Sequence, residues 1–177
     1  ASGMTNVAKK AKIKVSGDEN TAKYLNDGLF TVQDFTFPWE YVDANEDQKG
    51  TTITLTWDTP VEIKSFIIYN SQNYFYAFDK VDLVRFKLAE KPAWYNLKDY
   101  NDYCYIENLE CNPENVEGND FFMRQGGGAL ASFDNIKVTE MTIHINSKYT
   151  TEAEELDGSL NYAIRVSDIF VMGKEVK

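Results

Sequence analysis

The chain has 177 residues, 43% of them hydrophobic, which suffices for one packed domain of ordinary size. Its formal net charge of −10 argues against a surface built for nucleic acid or an anionic membrane, since phosphate binding runs on Lys and Arg. Eleven Tyr, eleven Phe and three Trp make it rich in rings, and no apolar run approaches the roughly 20 residues of a membrane-spanning helix.

From the N-terminus, Ala1-Ser2-Gly3 ahead of Met4 reads as a tag scar over residues 1–4, so the lack of a signal peptide carries no weight on compartment. A single domain is expected over 5–177. KIKVSG alternates apolar and polar residues, the mark of a half-buried strand. The stretch from Lys23 to Gly50 combines an Asp27-Gly28 turn, a run of rings in FTFPWEY and a burst of acids in DANEDQKG. Asp43, Asn45 and Asp47 fall at the first, third and fifth places of an EF-hand loop. Gln48 stands where that loop needs Gly, Thr54 where it needs Glu, and no helices flank it, so a solvated turn is expected.

TTITLTWD alternates strictly, and VEIKSFIIYN, after a Thr-Pro turn, reads as a central strand buried on both sides. DKVDLVRFKLAE changes phase at Leu83-Val84, and NIKVTEMTIHIN changes phase before Met141, so each is expected to carry a bulge. NYAIRVSDIFVMG closes the chain as one long strand or as two joined at a bulge. Residues from about 91 to 120 have no clean period and read as an insertion, with room for a short helix in NLKDYNDYCYIENLE. Cys104 and Cys111 do not have zinc or redox spacing. A small disulfide loop and two free thiols both remain open.

Catalytic patterns are sparse. His144, the single histidine, alternates with Ile143 and Ile145 and is expected on a strand surface, without a nucleophile motif to complete a triad. Gly126-Gly127-Gly128 lacks the Lys-Ser/Thr of a phosphate loop and reads as a sharp entry into a strand. The 28 acids do not single out a glycosidase pair. The expected class is an all-β antiparallel sandwich of jelly-roll form.

The order TNVAKKAKIKVSG, TAKYLNDG, TITLTWDTPVEIKSFIIYNS, VRFKLAE and IRVSDIFVMGKE resembles the discoidin, or coagulation-factor type C, superfamily. Within it, the chain is most similar to galactose-binding-like bacterial carbohydrate-binding modules of the family 32 type. The resemblance covers nearly the whole chain outside the insertion. It implies an eight-stranded jelly roll and a structural calcium beside the Asp-Gly loop. The implied ligands are the Asp27 carboxylate, the Tyr24 carbonyl, Thr31, the Ser167 carbonyl and the Asp168 carboxylate. Leu29 departs from the Asn or Asp often found two residues after the loop Asp, and Asp168 is shorter than the usual Glu. The alternative for Asp27 is a side chain that caps its own turn.

Sugars need an aromatic platform and planar hydrogen-bonding groups. NSQNYFYAF interleaves both, with Asn70 and Gln72 as amides and Tyr74 and Tyr76 as rings. Tyr41 is the expected exposed ring of FPWEY. Trp39 falls near a family tryptophan that packs in the core, and is kept as a second candidate ring. Arg124 precedes the glycines and can reach the same end. Trp94 and Tyr95 form a possible separate platform. The function implied is a non-catalytic, secreted, monomeric carbohydrate-binding module that targets an attached catalytic domain to glycans, without nucleic-acid binding or membrane insertion. The alternative is a structural or protein-interaction sandwich packed against a catalytic neighbour.

Overall fold

The computed structural model describes residues 3–29, 39–73, 76–78, 80–91, 93–97, 105–108, 126–146, 155–156, 159–160 and 162–177. The strands are β1 (Thr5–Asn6), β2 (Lys12–Val15), β3 (Tyr41–Asp43), β4 (Thr51–Asn70), β5 (Lys80–Leu88), β6 (Trp94–Asn96), β7 (Tyr105–Asn108), β8 (Gly128–Asn146), β9 (Glu155–Leu156), β10 (Ser159–Leu160) and β11 (Ile164–Glu175). Two short 3₁₀ helices, Val7–Lys10 and Glu19–Tyr24, are capped by the Asn6 and Asp18 side chains. Every strand pairing is antiparallel.

Alternation dictates this architecture. Ile53, Leu55 and Trp57 are buried, while Thr52, Thr54 and Thr56 between them are half-buried. The main sheet runs β1-β11-β4-β8-β5-β6, with β2 added to β4, β3 to β11 and β7 to β8. The Thr-Pro pair does not turn the chain, as the sequence suggests; β4 continues through it for 20 residues. Its pairing jumps from Thr56↔Glu140 to Val61↔Val138. Pro60 sits inside that irregularity, where a missing N–H costs no ladder bond. The first half of β4 pairs with β2 and the second half with β11, so one strand serves two parts of the molecule.

The expected phase changes are bulges. Register shifts between Val81 and Leu83 on β5, and across Thr139 on β8, where Lys87↔Glu140 is followed by Leu88↔Val138. β11 shifts between Val166 and Asp168, which leaves Ser167 as the extra residue. From the 91–120 segment, β6 extends the sheet at β5 and β7 pairs with β8. The short helix considered there, and Cys104 and Cys111, fall mostly or wholly outside the described residues. One hydrophobic cluster unites the strands, with Phe66, Phe78, Phe86, Leu97 and Met141 fully enclosed. Trp57 joins it and donates from Nε1 to the Val7 carbonyl at 2.8 Å, which ties β4 to the first 3₁₀ helix.

Candidate functional site

The loop after β4 is held at its neck by Asn70. Its Oδ1 accepts from the Phe78 N–H at 2.9 Å and its Nδ2 donates to the Phe78 carbonyl at 2.9 Å. Asn70 is fully buried. This corrects the expectation of a ligand-facing amide: the side chain is spent on closing the loop. Ser71 Oγ donates to Glu40 Oε1 at 2.8 Å and accepts from the Asn73 N–H at 3.0 Å. The glycine run stitches alongside, with Gly126 N–H donating to the Ser71 carbonyl and Asn70 N–H to the Gly127 carbonyl. Gly126 has φ +72, and a Cβ there would meet the Gln72 amide at 2.9 Å, so glycine lets that amide lie over the backbone.

Arg165, which sequence reading passed over, reaches this end from β11. Its guanidinium lies 3.9 Å from the centroid of the half-buried Tyr76 ring, a cation–π contact. Arg165 Nε is buried without a hydrogen-bond partner. The only sequence signal for it was its outward phase in AIRVSD. The structure therefore groups Gln72, Asn73, Tyr76 and Arg165. Tyr74, Arg124 and Thr31 lie outside the described residues.

The roles of two rings are exchanged relative to expectation. Trp39 is 55% exposed and meets Tyr24 edge-to-face at 5.6 Å. Tyr41 is fully buried, with its hydroxyl 2.6 Å from Thr51 Oγ1 and accepting from the Gly17 N–H at 2.8 Å. The reason is phase: β3 pairs with β11 through Tyr41↔Val166 and Asp43↔Ile164, so Tyr41 and Asp43 face inward, whereas Trp39 precedes the strand. Burial, and secondarily the charge of Asp43, push the Tyr41 hydroxyl up to about 12.

Just beyond Tyr24, two carboxylates, Asp27 and Asp168, are close enough to influence each other. Asp168 is fully buried at the β11 bulge, opposite Tyr69, and neither carboxylate oxygen has a hydrogen-bond partner. Burial pushes its carboxyl up to about 8 and the neighbouring Asp27 charge pushes the same way; the nearby N–H groups of Ile169 and Gly28 and the Lys9 ammonium act against the rise. The Ile169 N–H is engaged elsewhere, donating to the Leu25 carbonyl at 2.7 Å. Asp27 Oδ1 accepts from the Leu29 N–H at 2.9 Å, the self-capping turn considered above. Leu29 itself points to solvent at 68% exposure. Among the described residues no group of three His, Cys, Asp or Glu converges. A cation here would rely on two carboxylates and backbone carbonyls, and the orphaned Asp168 oxygens fit that demand.

His144 is on the outer sheet face, as its alternation predicts. Nδ1 lies 2.6 Å from Asp82 Oδ1 and Nε2 lies 2.8 Å from the Lys49 carbonyl.

No protein-family model matches the chain, and no curated protein matches it. Solved structures do. The family 32 carbohydrate-binding module from Clostridium perfringens NanJ, in complex with galactose, superposes with a TM-score of 0.59 at 10% identity, over 96% of this chain and 98% of that one. An F5/8 type C domain from Bacteroides fragilis gives 0.55 at 12% identity, over 98% and 97%. The fold is that of a discoidin-like β-sandwich. A two-domain Bacteroides fragilis protein of unknown function matches at 0.53 with 14% identity; 97% of this chain covers only 43% of that one. Within the sandwich of this chain, the pairs Asn70↔Val166 and Tyr69↔Gly128 place Asn70, Gly126 and the start of β11 at one end. Among the described residues no helix is long and apolar enough to cross a membrane.

Proposed function

We propose that this domain is a non-catalytic carbohydrate-binding module whose site is the Tyr76–Arg165 pair with Gln72, Asn73 and the exposed Trp39. The observation that carries the reading is the guanidinium laid on a tyrosine ring at 3.9 Å, beside an amide-bearing loop clamped by Asn70. Such a guanidinium has given up much of its rotamer freedom before a ligand arrives, and its N–H groups suit sugar hydroxyls. The rings suit the C–H face of a sugar. The galactose bound by the similar Clostridium module supports a hexose of this kind as the ligand class.

The module is proposed to be secreted, to act as a monomer and to hold an attached enzyme near glycans, where weak single-site binding gains from avidity. A calcium ion held by Asp168, Asp27 and the carbonyls of Tyr24 and Ser167 would fix the Tyr24 edge against which Trp39 rests. It would supply charge neutralisation and rigidity; the residues themselves orient the rings. A second reading, a docking domain for a neighbouring catalytic unit, is favoured by one observation: Leu29 and Trp39 are both large, apolar and exposed.

A glycan array with the purified domain in calcium buffer separates them. Binding to a defined glycan set, lost in Arg165→Gln and in Tyr76→Ala with the thermal midpoint maintained, is the expected result. A blank array with folded protein overturns the carbohydrate reading and favours docking.

A further inference from the structure

The outer face of the sheet carries a second ordered set of side chains, at the opposite end of β4 from Asn70. Two cross-strand rows run over five strands. In one, Lys12, Thr56, Glu140, Lys87 and Trp94 are direct neighbours; in the other, Lys14, Thr54, Thr142, Arg85 and Asn96 are. Each alternates along its strand with inward residues such as Leu55, Met141 and Phe86, so both rows point outward. Thr54 and Thr142 hydroxyls meet at 3.2 Å in the centre of the second row. At the β6 edge the Arg85 guanidinium lies 5.5 Å from the centroid of Trp94, which is 36% exposed.

The charge of this face opposes that of the chain. Lys12 is paired with Asp58, but Lys14, Arg85 and Lys87 have no carboxylate within ion-pair distance among the described residues. Glu140 is the single acid in the two rows. In a chain of net charge −10, three cations without a carboxylate partner among the described residues give this face an attraction for anions.

We propose that this face is a second ligand surface, which binds a carboxylate-bearing saccharide chain laid across the strands. Trp94 offers a ring to a sugar face, the threonines suit hydroxyls, and Arg85 offers a planar fork to a carboxylate. Lys14 stands three strand spacings, about 14 Å, from Arg85 and Lys87 on β5, so the cations suit a sparsely charged saccharide better than a densely charged polymer.

Native affinity electrophoresis through gels containing polygalacturonate, neutral dextran or dextran sulfate tests this. Polygalacturonate is expected to retard the domain, with retardation falling at high ionic strength and with neutral dextran inert. The Lys14→Gln, Arg85→Gln, Trp94→Ala triple variant should bind roughly tenfold more weakly or worse with an unchanged circular dichroism spectrum. Arg165→Gln should retain full retardation, which separates this surface from the loop-end site. No retardation of folded wild type overturns the proposal. So does retardation that survives the triple variant or vanishes in Arg165→Gln. Stronger retardation by dextran sulfate overturns the carboxylate assignment.

Discussion

Two buried acidic regions of this domain are built on opposite terms. Asp43 opens the acid-rich DANEDQKG stretch, and its carboxylate is fully engaged: Oδ1 accepts from the Asn45 N–H at 2.8 Å and Oδ2 from Ser16 Oγ at 3.3 Å. Asn45 extends the network, donating to the Tyr162 carbonyl and accepting from the Gly50 N–H, both at 2.9 Å. Tyr41, Thr51 and Gly17 complete it. Asp168, in a stretch with few acids, is as deeply buried and has no partner at either oxygen. A rich supply of acids here builds a self-contained turn, whereas one isolated carboxylate leaves a demand for positive charge.

The largest expected effect breaks the comparison at Asp168. Without a cation its carboxyl protonates below about 8 in the folded chain, but only below about 4 in the unfolded one. Between those values the folded state binds more protons, so this group's contribution to stability falls as pH rises from about 4 to about 8. The loss is on the order of a few kcal/mol. Calcium should reverse the trend by holding the carboxylate ionised, raising the thermal midpoint most at neutral and alkaline pH. Asp168→Asn should flatten the pH slope and remove the calcium response. Scanning calorimetry across pH, with calcium or a chelator, reads both; a chelator-insensitive midpoint at every pH would sink the cation assignment.

A smaller effect is expected in the satisfied network. Tyr41→Phe leaves the ring in place but strips the partner from the half-buried Gly17 N–H and leaves the buried Thr51 hydroxyl with Ser16 Oγ at 3.3 Å, a cost of about 1–3 kcal/mol in urea unfolding. Gly17 cannot relieve it by substitution, because a Cβ there would overlap the Tyr41 hydroxyl and Asp43. Calcium should not rescue this variant. Rescue would mean that the two regions are one cooperative site.

Strand positions and bulges were readable because burial on a sheet has period two and each phase change leaves a mark in the sequence, as at Leu83 and Met141. The continuity of β4 through Pro60 was not, since a proline in a turn and a proline at a bulge look alike without the partner strand. The site was less legible than the fold. Asn70 is an amide at a strand end, but whether it faces ligand or clamps Phe78, eight positions on, depends on where the loop returns. Arg165 acquires meaning only when β11 sets it over Tyr76, 89 positions away in the chain. At Trp39 and Tyr41 a three-residue strand offered too few alternations to fix which ring points inward.

That last pair supplies the smallest expected change in stability and a sharp contrast in function. Trp39 is over half exposed and touches the body of the domain through its edge-to-face contact with Tyr24. Trp39→Ala should therefore cost less than about 1 kcal/mol of stability, while it weakens binding at the loop end. Tyr41→Phe should do the reverse, costing stability and leaving glycan affinity intact. If Trp39→Ala instead destabilises as much as Tyr41→Phe, the ring is a structural lid on the Tyr24 edge and its share in ligand binding falls. If it does neither, the loop-end site rests on Tyr76 and Arg165, stacked at 3.9 Å, without a share from the Trp39 ring.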